Sequence, residues 1–132
     1  MAKILIESSF IVTAKHYDRI LLKISGEGFC KPGGSGLDAE AVGRIADLAA
    51  TIVGQGKQLA IVCGGGNFLR GMALSKSGVD RSTADYMGML ATIMNGMILQ
   101  ERVEQRGIPC RVLSALEIKQ CAEPFIRRRA IR

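Results

Sequence analysis

The sequence has few of the residues that several kinds of chemistry require. Its 132 residues contain no tryptophan, one histidine and only 5% aromatic residues. The four cysteines form no C-x-x-C pair and have no histidine beside them, which disfavours a zinc site. No apolar run approaches the roughly 18–20 residues that span a bilayer, and no small-residue cleavage site follows the apolar N-terminal stretch. We therefore expect a cytoplasmic protein with reduced thiols and no membrane span.

The excess of positive charge is confined to one end of the chain. The sequence has 18 Lys and Arg against 12 Asp and Glu, and four of the basic residues are Arg127, Arg128, Arg129 and Arg132. The rest of the chain, with 14 basic and 12 acidic residues, is nearly neutral. A nucleic-acid-binding protein needs a basic face and gains from stacking aromatics, so we expect no nucleic-acid partner.

The hydrophobic pattern predicts strand, helix and strand in the first half of the chain. Residues 19–24 form a short apolar run typical of a buried strand, and residues 57–63 form another. Between them, apolar residues recur at helical spacing over 39–54, with Asp38 as the expected N-cap. This order predicts a βαβ unit whose two strands are parallel neighbours.

The second half is dominated by a long helical pattern from about Ser82 to Arg106, after a shorter one over 68–76. The long pattern is apolar on a wide face, which is typical either of a central core helix or of a contact with a second subunit. A third strand is expected over 111–113. A last helix is expected over 123–132, with Glu123 near its beginning and the arginines towards its end. The apolar residues of the wide face are Tyr86, Met87, Leu90, Ile93, Met94, Met97 and Ile98.

Glycine-rich loops follow both predicted strands of the first half. Because the carboxyl ends of parallel strands meet at one edge of a sheet, the loops at 25–28 and 64–67 are expected to lie together and to offer backbone N–H groups to an anion. The Walker A and Rossmann glycine patterns both fail here. Lys23, Arg70 and Asp85 add the charges that phosphoryl transfer needs. Each of these residues, taken alone, is also compatible with a purely structural role.

Three segments resemble the bacterial UMP kinase (uridylate kinase) family of the amino-acid-kinase superfamily. They are ILLKISGE at 20–27, VCGGGNFLRG at 62–71 and DYMGMLATIMNG at 85–96. The first two indicate the superfamily, and the third is specific to UMP kinases. The resemblance implies an α/β fold, a three-layer αβα sandwich with a mainly parallel sheet. It also implies transfer of the ATP γ-phosphate to UMP, giving UDP for pyrimidine nucleotide synthesis, with Mg²⁺ arriving with ATP.

The resemblance assigns roles to individual residues. Lys23 and Arg70 are the expected catalytic residues, since Lys23 would stabilise the transferred group and Arg70 would lie between the two phosphates. Asp85 would hold the UMP ribose, and Gly65 would contact the UMP phosphate. The expected ATP contacts are Lys23, Ile24, Ser25, Gly26, Gly66 and Arg70.

The resemblance also implies regulation and assembly. The loop from Lys31 to Gly36 corresponds to a segment linked to activation by GTP, although a flexible connection is the simpler interpretation. Its residues are Lys31, Pro32, Gly33, Gly34, Ser35 and Gly36. UMP kinases of this family form homohexamers built on dimers, which favours the long helix as a subunit contact.

UMP kinases continue for about as many residues again, so the chain corresponds to the N-terminal, UMP-side part of such an enzyme. We assign residues 1–17 to an N-terminal extension and 18–132 to the kinase domain. The 132-residue chain is expected to be inactive alone and to self-associate. Two alternatives stay open: a kinase of the same superfamily that phosphorylates a carboxylate or carbamate, and a non-catalytic nucleotide-binding or oligomerisation module.

Overall fold

The computed structural model describes residues 16–69 and 78–131. No helix in these two ranges combines the length and the hydropathy that crossing a membrane requires. In chain order, the elements are β1 (Arg19–Ile24), a 3₁₀ turn (Gly26–Phe29), α1 (Ala39–Gly54), β2 (Gln58–Cys63), α2 (Arg81–Glu104), β3 (Leu113–Ser114), β4 (Glu123–Pro124) and α3 (Arg127–Ala130).

The βαβ unit predicted for the first half is confirmed. β1 and β2 pair in parallel, from Arg19 opposite Gln58 to Ile24 opposite Cys63. α1 begins where predicted because the Asp38 carboxylate accepts a hydrogen bond from the N–H of Ala41 at 2.9 Å. The carboxyl ends of β1 and β2 therefore lie side by side, each continuing into its glycine-rich loop.

The core lies on one face of the β1–β2 sheet, between the sheet and the two long helices. On the other face, Leu21 is 71% exposed and Val62 is 50% exposed. Both strands were expected to be buried, and this is wrong for the second face because α1 and α2 pack on the same side. The described residues thus form two layers of the α/β fold. The core residues are Phe29, Val42, Ala46, Ala49, Leu99 and Val103, with Ile24, Leu59, Ile61 and Cys63 of the sheet packed against them.

The two long helices are also joined by a polar contact at the end of α2. The Arg106 guanidinium donates to the Asp47 carboxylate at 2.7 Å and to the carbonyl of Gly43 at 3.1 Å, both on α1. Arg106 lies in the turn just after α2, and a third hydrogen bond, to the carbonyl of Arg102 at 2.6 Å, fixes its side chain on the end of that helix. These bonds hold α1 and α2 in one relative position on the sheet.

The C-terminal segment differs from the expected strand and helix. β3 and β4 form a short parallel pair, Leu113 opposite Glu123, and helix α3 begins only at Arg127. The helix expected to open at Glu123 is wrong at its beginning, because the residue before a proline is disfavoured in helical conformation and Pro124 follows. Glu123 instead pairs with the Arg111 guanidinium, and the hydrogen bond from Arg111 lowers the pKa of that carboxyl.

Candidate active site

The two glycine loops touch through their backbones. The N–H of Gly64 donates to the carbonyl of Ile24 at 2.8 Å, which joins the ends of the strands. A Cβ added to Gly26 would collide with the backbone nitrogen of Gly66 and lie 2.7 Å from that of Asn67. These distances leave no room for any side chain at Gly26. The expectation that the loops meet at one sheet edge is confirmed.

The second loop also lies directly on helix α2. A Cβ at Gly65 would be 2.7 Å from the carbonyl oxygen of Gly88 and 2.8 Å from the Cβ of Ala91. Asp85 precedes Gly88 by three positions, the spacing at which helical residues are surface neighbours, and it is exposed. The structure thus packs Gly65 against α2 about one helical turn from the exposed Asp85.

The loop presents backbone donors that nothing in the described part of the chain uses. No acceptor among residues 16–69 and 78–131 takes the N–H of Gly65 or Gly66, and a Cβ at Gly66 would meet nothing within 4 Å. Adjacent glycine amides beside open space form the kind of concavity that binds phosphate oxygens. Gly26, Gly65 and Gly66 therefore form the walls of a candidate phosphate cradle.

The other residues assigned to ATP lie along the end of β1. Lys23 is exposed and stands opposite Val62 on the uncovered face of the sheet. Within the ranges that the structure describes, it makes no hydrogen bond or ion pair. Ile24 packs its side chain against the core, and its backbone carbonyl accepts from the N–H of Gly64. Ser25 is exposed, and the predicted contact Arg70 lies outside the described residues, as does most of the short helix expected over 68–76.

The segment predicted to bind an effector, Lys31 to Gly36, is attached to the second glycine loop. The N–H of Gly36 donates to the carbonyl of Asn67 at 2.8 Å, and the Asn67 side-chain amide donates back to the carbonyl of Gly36 at 2.8 Å. Gly33 and Gly36 adopt positive φ, +73° and +75°, which accounts for glycine there. The segment is thus tied to the candidate site at its end.

Two residues of the site, Asn67 and Asn95, were not predicted from the sequence; they are the two asparagines of the chain. Both are buried, at 2% and 0% exposure, and their side-chain amides hydrogen-bond to each other. A signal for them existed in the sequence. Asn95 interrupts the apolar face of a helix, and a buried amide is costly unless it is paired; Asn67 offers the partner beside the glycine loop.

Cys63, which directly precedes the second glycine loop, and the possible metal ligands of the described residues complete the picture of this sheet edge. Burial, together with the nearby Cys110, raises the pKa of the Cys63 thiol to about 11, so Cys63 is a protonated packing residue at neutral pH. In the part of the chain that the structure describes, no three His, Cys, Asp or Glu side chains lie together in a way that could hold a metal ion.

The wide apolar face of α2 divides between core and surface. Ile93 is buried, and Ile98 packs against the core. The outer residues form a face exposed to solvent in the single chain, which we call the outer face of α2. Its members, between 38% and 58% exposed, are Tyr86, Met87, Met89, Leu90, Met94 and Met97.

Comparisons with known proteins agree with this architecture. The family model described as "Amino acid kinase family" matches residues 18–130. The structure is similar to that of the UMP kinase from Bacillus anthracis, with a TM-score of 0.82 and 34% sequence identity over 87% of this chain and 48% of that one. It is also similar to the UMP kinase from Ureaplasma parvum, with a TM-score of 0.78 and 30% identity over 86% of this chain and 48% of that one. The chain therefore spans about half the length of these two enzymes, and it belongs to the amino acid kinase family.

Proposed function

We propose that the chain is the UMP-side part of a UMP kinase, which transfers the γ-phosphoryl group of MgATP to UMP and releases UDP and ADP. The observation that carries the proposal is the pair of N–H groups at Gly65 and Gly66, which no acceptor in the described residues takes, on a loop packed about one helical turn from the exposed Asp85. The likeness to two UMP kinases supports the same substrates.

The two phosphates are assigned to neighbouring amides. The N–H of Gly65 donates to the UMP phosphate, and that of Gly66 donates to the transferred phosphate of ATP, with Gly26 completing the wall. Because these N–H donors are already held in place, no free energy is spent on reorienting them when charge develops on the phosphoryl oxygens. Phosphoryl transfer depends chiefly on positioning and electrostatic stabilisation, and Lys23 and Arg70 supply the positive charge. Mg²⁺ enters as part of the MgATP substrate.

The Asp85 carboxylate is assigned to the ribose of UMP. It lies one helical turn from Gly88, on which Gly65 rests, so a phosphate at Gly65 places the ribose of the same nucleotide along α2. Ribose hydroxyls that donate to a carboxylate make charge-assisted hydrogen bonds. A carboxylate or carbamate substrate would not gain from Asp85, because its own negative charge would be repelled.

Calorimetry on the 132-residue chain tests this assignment. We expect UMP to bind, and acetylglutamate, aspartate and carbamate not to bind. Binding of one of these carboxylates or of carbamate in preference to UMP would contradict the proposal.

The chemical step is tested in a chain extended to the length of the similar enzymes. Lys23→Ala is expected to lower kcat by roughly 10²-fold, because it removes the positive charge nearest to the transferred group. Lys57→Ala is the matched control, since Lys57 precedes the other strand and pairs with Asp18 at 3.1 Å. Equal effects of the two substitutions would show that Lys23 is an ordinary strand-end lysine.

A second candidate function is a nucleotide-binding module without turnover. It is favoured by one observation, that the chain spans 48% of the length of each similar enzyme, and no segment here resembles an ATP base pocket. A coupled assay for UDP formation separates the two functions, and we expect no turnover by the 132-residue chain.

The outer face of α2 is the proposed contact between copies in a homo-oligomer, since exposed apolar surface of this extent drives association. Size-exclusion chromatography should show self-association, and Met94→Glu should weaken it. The segment Lys31–Gly36 is the proposed GTP-responsive segment of the assembled enzyme.

A further inference from the structure

The buried asparagine pair bridges three separate segments of the chain. The Asn67 amide donates to the Asn95 oxygen at 3.0 Å, and the Asn95 amide donates to the Asn67 oxygen at 2.7 Å. Each amide has a second N–H, and each of these reaches a backbone carbonyl. The Asn95 amide donates to Gly64 at 2.7 Å, and the Asn67 amide donates to Gly36 at 2.8 Å.

The bond to Gly64 has a direct effect on the next peptide group. In a trans peptide the carbonyl and the following N–H point in opposite directions, and the described residues contain no cis peptide bond. Because Asn95 holds the carbonyl of Gly64 towards the buried pair, the N–H of Gly65 points away from it. Gly65 has no side chain to fix its orientation, so this hydrogen bond fixes the plane of the peptide.

The bonds to Gly36 have a different effect. Both backbone groups of Gly36 are held by Asn67, its N–H by the Asn67 carbonyl and its carbonyl by the Asn67 side chain, each at 2.8 Å. A displacement of Gly36 must therefore move Asn67, break these bonds, or both. Since Asn67 directly follows Gly66, such a displacement is passed to the phosphate cradle.

We propose that Asn95 and Asn67 are positioning residues for the kinase reaction: Asn95 orients the N–H of Gly65 towards the UMP phosphate, and Asn67 couples that loop to the segment at 31–36. The inference rests on the proposed function, because it takes UMP as the ligand of Gly65. A side chain that only filled space here would be apolar, since a buried amide costs free energy that an apolar residue of similar volume does not.

The orientation step is tested with Asn95→Leu, which keeps the approximate volume and removes the donor to Gly64. We expect the folded variant to bind UMP about tenfold more weakly, as the loss of one oriented hydrogen bond predicts. Hydrogen exchange in a peptide covering 64–69 should become faster, while exchange in α1 stays unchanged. A variant that is folded by circular dichroism and binds UMP as tightly as the wild type would overturn the proposal.

The coupling step is tested without altering either asparagine. Gly36→Ala and Gly56→Ala form a matched pair, because the two glycines have φ of +75° and +76° and neither would place a Cβ within 4 Å of another group. Both substitutions introduce the same backbone strain, but only Gly36 is bonded to Asn67. We expect Gly36→Ala alone to speed exchange at 64–69 and to weaken UMP binding several-fold. Equal effects of the two variants would overturn the coupling.

Failure of this inference is distinguishable from failure of the proposed function. If the wild-type chain does not bind UMP, the assigned substrate is wrong. Exchange in the ligand-free chain still tests the coupling: faster exchange at 64–69 in Gly36→Ala supports it, and unchanged exchange contradicts it.

Discussion

Two glycine-rich segments of this chain look alike in sequence and use glycine for different reasons. In the segment at 31–36, Gly33 and Gly36 have φ of +73° and +75°, and a Cβ on either would meet nothing within 4 Å. At the end of β2, Gly64 and Gly65 have no positive φ, but a Cβ on them would lie 2.8 Å and 2.7 Å from backbone atoms.

Glycine is required in one segment for its backbone conformation and in the other for its small size. Glycine at 33 and 36 allows a left-handed backbone, and a methyl group added there would strain the backbone conformation without striking a neighbouring atom. Glycine at 64 and 65 allows two loops and a helix to approach each other, and a single methyl group there forces the backbone to move. Substitutions in the two segments should therefore differ in size and in the property that they change.

The largest effect is expected for Gly65→Ala. The added methyl would overlap the carbonyl oxygen of Gly88 and the Cβ of Ala91, and overpacking of this kind typically costs about 1–3 kcal/mol. We expect the free energy of unfolding, measured with urea, to fall by an amount near the upper end of that range. The Gly88 carbonyl belongs to the backbone of α2 and cannot move away independently of the helix. Gly54→Ala is the control: it lies at the end of α1 and its Cβ would meet nothing within 4 Å. A loss no larger than that of the control would refute the spatial interpretation.

Gly66→Ala should change binding rather than stability. Its Cβ would project into open space, so the unfolding midpoint should stay close to that of the wild type. In the proposed site the methyl would take the space of a phosphate oxygen. In the chain extended to the length of the similar enzymes, we expect the affinity for MgATP to fall by roughly tenfold, about the value of one hydrogen bond to a charged group. Calorimetry beside urea unfolding measures both quantities. If Gly66→Ala lowered the stability and left MgATP binding unchanged, Gly66 would have a structural role and no role in binding.

Asp85→Asn is expected to cause a comparable loss of affinity, but only for UMP. The substitution removes the negative charge that strengthens bonds from the ribose hydroxyls, at a cost of about 1–2 kcal/mol of UMP binding. MgATP binding to the same extended chain should be unchanged. Glu101→Gln provides the control, since Glu101 is an exposed carboxylate further along α2. Equal losses for UMP and MgATP would remove Asp85 from the UMP site.

The smallest effect is expected in the open segment. Gly33→Ala should cost about 1 kcal/mol, since alanine resists positive φ, and Gly33→Asn should cost less because asparagine tolerates that conformation better. Neither should alter UMP affinity, because only Gly36 of this segment is bonded to Asn67. If Gly33→Ala weakened UMP binding about tenfold, the size of loss expected for MgATP in Gly66→Ala, the two segments would form a single binding surface.

Local pattern was sufficient for the elements that frame the site. β1, α1 and β2 occupy nearly the predicted ranges because apolar periodicity, the Asp38 cap and the glycine stops all agree. The long helix was predicted to begin at about Ser82 and begins at Arg81, where the Asp80 carboxylate accepts from the N–H of Ser82 at 3.0 Å. The parallel pairing followed from the order of the elements.

Contacts between distant residues could not be predicted in the same way. Whether a glycine is needed for its φ or for its small size depends on which atoms pack against it in the fold. The sequence alone does not identify those atoms. The asparagine pair joins positions 67 and 95, which no spacing rule links. The bare face at Leu21 was missed because an apolar strand has the same pattern whether one side or both are covered.

Because Gly65 reaches its final position only against α2, the β1–α1–β2 unit cannot complete the phosphate cradle alone. The contact joins segments on either side of residues 70–77, and non-local contacts form later than local ones because more chain entropy must be lost first. During synthesis, the candidate phosphate cradle is therefore completed only after α2 has left the ribosome. A ligand of the proposed cradle would bind at the end of folding of the described residues and would not nucleate it.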